Sequence, residues 1–192
     1  MIEVEIKLKI DSREKIIEKL ESQGFKRGDT VIETDMYFNG NDHDFRKTDE
    51  ALRIRKTVSL DGNILIPDTD STELITLTYK GPKLDDISMS RKELWVNVED
   101  FDAMKTILKS LHFRPVRPVI KKRTYYHGEE MVACVDSVEG LGDFIELEIM
   151  VDDEQGREKA LSIIELELNS LGFKMADTTT TSYLSMLQKI SD

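Results

Sequence analysis

The sequence contains only one cysteine and three histidines. Cys134 cannot form a disulfide within the chain, and its place in an apolar strand predicts a small buried side chain rather than a nucleophile. His43, His112 and His127 fall in a loop, at a helix end and at a turn, and their spacing is not that of metal ligands. We therefore assign no catalytic role to either residue type.

The chain also lacks an excess of positive charge and any long apolar run. Its net charge is -11 at pH 7, and 34% of its 192 residues are charged. This balance argues for a soluble protein and against binding nucleic acid or an anionic membrane through the overall field. No apolar stretch approaches the roughly 20 residues of a membrane span, and no basic segment followed by an apolar one opens the chain. We expect a cytoplasmic protein with a single domain over residues 1–192.

The remaining pattern is one of strands and amphipathic helices. Strands are predicted at residues 1–10, 31–38, 51–58, 74–80, 88–98, 119–126, 131–138 and 143–151. Helices are predicted from about residue 12 to 23, at 99–111, at about 154–171 and near 183–190. Gly24, His112 and Gly172 each tolerate left-handed geometry and precede a phenylalanine, which predicts three helix ends. Turn-forming residues predict loops at 39–49 and 59–72.

Several strands carry charge on one face and apolar residues on the other. In the first strand, Glu3, Glu5 and Lys7 alternate with apolar side chains. The same division returns in later strands with Arg53 and Arg55, Lys80, and Glu146 and Glu148. If helices cover the apolar faces, closing the sheet turns the charged faces inward. We expect an α+β fold: a closed eight-stranded antiparallel β-barrel with a polar, charged lumen and amphipathic helices packed outside.

The opening Glu3-Val4-Glu5-Ile6-Lys7 resembles the Glu-x-Glu-x-Lys signature of the CYTH superfamily, the triphosphate tunnel metalloenzymes. This superfamily includes class IV adenylyl cyclases, thiamine triphosphatases and inorganic triphosphatases. Further matching segments follow in the expected order over nearly the whole chain: Ala51-Leu52-Arg53-Ile54-Arg55, Thr78-Tyr79-Lys80-Gly81, Ser90-Arg91-Lys92-Glu93, Lys121-Lys122-Arg123, Val135-Asp136 and Glu146-Leu147-Glu148. Residues 34–38, with Asp44-Phe45, resemble most closely the prokaryotic class IV cyclase branch.

Five acids form the predicted metal site: Glu3, Glu5, Asp136, Glu146 and Glu148. Their oxygen-only ligand set suits Mg2+ or Mn2+ and disfavours zinc. Carboxylates at i and i+2 share a strand face, so Glu3 with Glu5 and Glu146 with Glu148 could hold metal from two sides. The alternative to a metal site is that these two pairs of glutamates lie on ordinary solvent-exposed strand faces. Asp136 is either a direct ligand or a group that orients one.

Seven cations form the predicted substrate-binding set: Lys7, Arg53, Arg55, Lys80, Arg91, Lys121 and Arg123. The planar fork of arginine matches phosphate oxygens, and lysine adds a compact charge. Because seven cations exceed five acids, a bound triphosphate with its metal would balance the difference. Ordinary surface charge is the alternative, and it suits Lys9, Lys92 and Lys122 best. Lys7, Asp136 and Glu148 are the predicted catalytic residues.

The resemblance implies a metal-dependent enzyme acting on a triphosphate inside the barrel. The branch favours a class IV adenylyl cyclase that converts ATP to cyclic AMP and pyrophosphate. A triphosphatase acting on inorganic triphosphate, thiamine triphosphate or a nucleoside triphosphate would use the same clamp. A non-catalytic nucleotide or polyphosphate sensor would be expected to lack a metal carboxylate or a clamp residue, and none of these motif positions is missing.

The expected partner is ATP or another triphosphate compound, with neither nucleic acid nor membrane, and a homodimer is possible. ATP would enter with its phosphates first and leave adenosine near the loops at 39–49 and 59–72. Tyr183 resembles a family tyrosine that closes one tunnel end. Trp95 shares its parity with Glu93, so it either packs near the rim or lines the tunnel beside a base.

Overall fold

The computed structural model describes residues 2–191. Its strands are β1 (Ile2–Lys9), β2 (Lys26–Asn39), β3 (Ala51–Ser59), β4 (Glu73–Lys83), β5 (Arg91–Asn97), β6 (Arg114–Pro115), β7 (Val119–His127), β8 (Val132–Val138) and β9 (Gly142–Val151). Its helices are α1 (Arg13–Ser22), α2 (Phe45–Thr48), α3 (Phe101–Ser110), α4 (Glu154–Ser170) and α5 (Tyr183–Ser191), with a 3-10 turn at Met175–Asp177.

The long strands form a closed antiparallel barrel. They follow one another in the order β3-β4-β5-β1-β9-β8-β7-β2, and pairing of β2 with β3 closes the ring. The short strand β6 adds to the end of β2. The α+β barrel of eight strands predicted from the alternating pattern is therefore confirmed.

The two faces of β1 separate the core from the lumen. Val4, Ile6 and Leu8 are almost completely buried and pack on the outer side of the barrel with α1 and α4. Helix α4 contributes Ala160, Ile164 and Leu168, which lie four residues apart on one helical face. The apolar face of β1 therefore packs against the helices, and its charged face points into the barrel interior.

The remaining helices cover other parts of the barrel. Leu108 of α3 packs against Phe38 and Ile54, while Tyr183 and Leu187 of α5 pack against the cluster formed by Val119, Val138 and Phe144. The three predicted left-handed helix ends are confirmed, with φ angles of +90° at Gly24, +68° at His112 and +89° at Gly172.

Two of the differences from the sequence prediction depend on local side-chain hydrogen bonds. The strand predicted at 88–98 begins at Arg91, because Asp85 Oδ1 accepts hydrogen bonds from the amides of Ile87 and Ser88 and holds that segment in a turn. The loop predicted at 39–49 contains the single-turn helix α2, capped by the Asp44 side chain. Short-range side-chain bonds decide both features, and hydrophobic periodicity does not report them.

Within residues 2–191, no helix combines the length and apolar character needed to span a membrane. The single-domain and cytoplasmic assignments stay predictions.

Candidate active site

The barrel interior contains a cavity of about 240 Å³ with a charged wall. It brings together all seven predicted cations: Lys7, Arg53, Arg55, Lys80, Arg91, Lys121 and Arg123. Four of the five predicted acids also line it: Glu3, Glu5, Glu146 and Glu148. Because these residues come from β1, β3, β4, β5, β7 and β9, the charged faces of separate strands converge on one space.

Three carboxylates form a compact cluster. One oxygen from each of Glu5, Glu146 and Glu148 lies within 4.8 Å of the others. The β1–β9 register produces this cluster, since it places Glu5 opposite Glu148 and Lys7 opposite Glu146. Carboxylates this close repel one another, and burial adds the cost of desolvation.

The pKa values of the cluster follow from that crowding. Burial raises the pKa of Glu5, and the neighbouring Glu146 raises it further. Burial raises the pKa of Glu148 to about 8, with Glu3 and Glu146 adding to the effect and Arg123 opposing it. Burial also acts to raise the pKa of Glu146, but Lys7 and Arg123 outweigh it and hold that pKa well below its usual range.

The cluster fits a hard divalent cation. It offers only oxygen donors, and a cation between the three carboxylates would relieve their repulsion. Glu5 Oε1 is buried without a hydrogen bond of good geometry, although Lys7 Nζ lies 3.3 Å away. Among the residues described, Glu5, Glu146 and Glu148 form a group that could hold such a cation.

Two cations bind these same carboxylates. Lys7 Nζ lies 3.3 Å from Glu5 Oε1 and 3.1 Å from Glu146 Oε1. Arg123 donates to Glu148 at 3.2 Å and also to Glu146. Lys7 and Arg123 therefore partly neutralise the acid cluster.

Asp136 lies behind this arrangement rather than within it. It is fully buried, does not line the cavity and accepts two hydrogen bonds of 2.7 Å from Arg123. It also accepts from Lys121 at 3.2 Å and from the Tyr183 hydroxyl at 3.0 Å. Of the two roles left open by the sequence, this position suits one that orients Arg123 and Lys121, because β8 holds the carboxylate beside the cations.

Glu3 also lies apart from the three-carboxylate cluster. Lys80 Nζ binds its Oε2 at 3.2 Å and also contacts Glu93. Burial acts to raise the pKa of Glu3, but Lys80 and a hydrogen bond with Glu93 lower it to about 2. Burial, together with the charge of Glu3, raises the pKa of Glu93 to about 7, against the opposing effect of Lys80.

Five acids that line the cavity or bind its cations were missing from the predicted set: Glu33, Asp35, Asp49, Glu50 and Glu93. Arg55 lies 2.9 Å from Glu33 and 2.6 Å from Asp35, and Lys121 lies 3.2 Å from Glu33. With the five predicted acids these make ten acids around the seven predicted cations, so the argument from an excess of cations is wrong. The sequence could have identified Glu33 and Asp35 as lumen residues, because they stand at i and i+2 in a predicted strand and therefore share one face.

Arg53 is the cation least committed to protein partners. Its closest carboxylate contact is Asp35 at 3.5 Å, and its Nε is buried without a hydrogen-bond partner within residues 2–191. Arg91, in contrast, is held at the cavity wall by the Gly81 carbonyl at 2.7 Å and by Asp49. Arg53 thus presents a buried donor for an anion.

Helix α5 closes part of the cavity. Tyr183 lines it, and Lys7 Nζ lies 4.4 Å from the centroid of the tyrosine ring. Phe45 and Asp49, from the loop predicted at 39–49, also line the cavity, whereas none of its lining residues comes from 59–72. Trp95 is 64% exposed and does not line the cavity, so neither role considered for it is seen.

Comparison with known proteins identifies the family. The CYTH domain matches residues 1–183. "Putative adenylate cyclase MJ0240" of Methanocaldococcus jannaschii is 43% identical over 97% of this chain and 98% of its own length. "Adenylate cyclase CyaB" of Aeromonas hydrophila is 30% identical over 82% of this chain and 73% of its own length. The PH1819 protein of Pyrococcus horikoshii has a similar structure, with a TM-score of 0.85, 35% identity and coverage of 98% of this chain and 99% of its own. The chain belongs to the CYTH family.

Proposed function

We propose that this protein is a metal-dependent adenylyl cyclase that binds ATP in its barrel cavity and releases cyclic AMP and pyrophosphate. The observation that supports this proposal is the position of the Glu5, Glu146 and Glu148 carboxylates beside Lys7 and Arg123, within a ring of further cations. That arrangement offers one group of ligands for a divalent cation and another for phosphate oxygens.

A divalent cation held by Glu5, Glu146 and Glu148 would supply Lewis acidity to the phosphate oxygens. The chain's own residues bind and orient the triphosphate. Arg53 offers its unpartnered buried Nε, and Lys7 and Arg123 can donate to phosphate once the carboxylates beside them have other partners. Asp136 keeps Arg123 in position through two hydrogen bonds. In a cavity of low dielectric, these fixed donors stabilise developing negative charge more strongly than water does.

Two considerations bear on the substrate. The relatives at 43% and 30% identity carry the name adenylate cyclase, which favours ATP. Phe45 offers an aromatic surface at the cavity wall where adenosine could lie, as expected for the loop at 39–49. A second candidate is hydrolysis of inorganic triphosphate, because a cavity of about 240 Å³ with an ionic wall suits a compact anion.

Product analysis separates these reactions. The purified protein is incubated with Mg2+ or Mn2+ and, separately, with ATP, inorganic triphosphate and thiamine triphosphate. We expect ATP to give cyclic AMP and pyrophosphate, with Mn2+ at least as effective as Mg2+. Glu148→Gln serves as the inactive control, and Lys92→Gln, an exposed change outside the cavity, serves as the matched active control. Orthophosphate released from inorganic triphosphate orders of magnitude faster than any nucleotide product would refute the cyclase proposal.

A further inference from the structure

Strand β1 has a regular strand partner along only one of its edges. On that edge it pairs with β9 over its whole length, whereas on the other edge it pairs with β5 only at its first two residues. Two irregular segments replace a strand beyond that point. The Met89 amide donates a hydrogen bond of 2.9 Å to the Glu5 carbonyl, and the Thr179 amide donates one of 2.8 Å to the carbonyl of Lys7. The backbone at the acid cluster is therefore held on this edge by loops.

Met89 belongs to the loop of residues 84–90, which joins β4 to β5 and is built around Asp85. Asp85 Oδ1 accepts hydrogen bonds from the amides of Ile87 and Ser88 at 2.9 and 2.7 Å. Its Oδ2 accepts from the Ser88 hydroxyl at 2.9 Å, and Ser88 is almost completely buried. These bonds fix the turn that directly precedes Met89, whose side chain lines the cavity. Asp85 thus determines where the Met89 amide lies.

Helix α4 holds the same loop from outside the barrel. Arg157 of α4 donates to Asp85 Oδ2, and the two side chains are only 19% and 17% exposed. Arg157 Nε also donates to Glu154 at 3.1 Å, but that carboxylate is 55% exposed. Ion pairs shielded from water interact more strongly than exposed ones. The contact with Asp85 is therefore the one that ties the loop to α4.

We propose, on the basis of the proposed function's assignment of Glu5 as a metal ligand, that Asp85 and Arg157 are positioning residues for the metal site. They act through the Met89 amide on the backbone of Glu5. Partners that hold a metal ligand in place typically change metal affinity by about 10- to 100-fold when they are removed.

The reason lies in the repulsion within the acid cluster. Without a metal, the Glu5 carboxylate is pushed away from those of Glu146 and Glu148, and only the backbone keeps it near them. The β1–β9 pairing restrains Glu5 from one edge, and the Met89 amide restrains it from the other. Loss of the second restraint lets Glu5 move away from its neighbours, so a metal must then bring the three ligands together again.

Hydrogen exchange of the metal-free protein, followed by NMR, tests the connection from Asp85 to Met89. Asp85→Asn keeps an oxygen that can accept from the loop amides but removes the charge that binds Arg157. We expect this variant and Arg157→Gln to speed exchange of the Met89 amide at least about tenfold. The Ile6 amide, which lies on the β9 edge because neighbouring strand residues bond on opposite edges, should exchange as in the wild type. Glu154→Gln is the matched control and should change neither amide.

Calorimetric titration with Mn2+ tests the effect on the metal site. Asp85→Asn and Arg157→Gln should each weaken Mn2+ binding about tenfold, Arg157→Lys should recover most of the loss, and Glu154→Gln should bind as the wild type does. Wild-type affinity in both Asp85→Asn and Arg157→Gln would overturn the proposal, and so would equal acceleration of Ile6 and Met89 exchange, which indicates general destabilisation.

Neither measurement requires turnover. A wild-type protein that binds Mn2+ but forms no cyclic AMP would therefore refute the cyclase proposal and not the positioning role, whereas a wild-type protein that binds no Mn2+ would overturn both.

Discussion

Glutamine substitutions of two lumen glutamates should change the stability of the metal-free protein in opposite directions. Glu33 is buried between Arg55 and Lys121, whereas Glu148 belongs to the crowded acid cluster. Burial acts to raise the pKa of Glu33, but Arg55 and Lys121 lower it to about 2. Burial raises the pKa of Glu148 to about 8, with Glu3 and Glu146 adding to the effect and Arg123 opposing it. The fold therefore favours the ionised form of Glu33 and disfavours the ionised form of Glu148.

The magnitudes follow from these pKa values and an unfolded value of 4.5. The lowered pKa of Glu33 contributes about 3 kcal/mol of stability, which is present above pH 4.5 and is lost as the pH falls toward 2. The raised pKa of Glu148 makes the opposite contribution to stability. The protein loses stability as the pH rises from 4.5 toward 8, because the fold disfavours the ionised carboxylate. At pH 7 that loss is also about 3 kcal/mol.

The assay is urea unfolding in the presence of a chelator at pH 5 and pH 7. At pH 7, Glu33→Gln should lower the free energy of unfolding by about 3 kcal/mol, and Glu148→Gln should raise it by a similar amount. At pH 5 the effect of Glu148→Gln should fall to about 1 kcal/mol, while that of Glu33→Gln should persist. If both substitutions destabilise the protein equally at pH 7, the assignment of opposite electrostatic roles is wrong.

Three further predictions concern activity and the buried network. Glu5→Gln should abolish turnover with little loss of fold, because it removes one proposed metal ligand and relieves like-charge repulsion; full activity at low Mg2+ would contradict this. Asp136→Asn should lower the free energy of unfolding by about 3 to 5 kcal/mol in urea titrations, since it leaves Arg123 and Lys121 buried beside a neutral group; an unchanged midpoint would contradict this. Cyclase activity should increase toward alkaline pH, because the ribose 3'-hydroxyl must lose its proton to attack; a rate that falls steadily from pH 6 to pH 9 would contradict this.

The sequence was sufficient to predict the barrel and most of its charged lining. Alternation in β1 and β9 places Glu5 and Glu148 on the faces that turn inward, and the paired register then brings them together. Parity alone determines which face a residue occupies, so it predicted these positions well. It does not determine how far a side chain reaches or which neighbour it binds.

That limit explains what the sequence did not predict. Asp136 has the parity of a lumen residue, but its bidentate bond to Arg123 holds it behind the cavity wall. Glu33 belongs to no quoted motif and Asp35 was given no role within the segment 34–38, and only the structure shows that both neutralise Arg55. Trp95 shares the parity of Glu93 but lies where β5 extends past its pairs with β1. Partner choice of this kind depends on tertiary geometry and not on sequence spacing.

The central claim is that the carboxylates of Glu5, Glu146 and Glu148 hold a divalent cation beside a bound triphosphate. The most direct test is a crystal structure with Mn2+ and a non-cyclisable ATP analogue, in which anomalous scattering locates the metal. The account predicts Mn2+ bound by oxygens of these three glutamates, with the analogue's phosphates contacting Arg53, Lys7 and Arg123. A triphosphate bound outside the barrel, or Mn2+ bound away from the three glutamates, would contradict it.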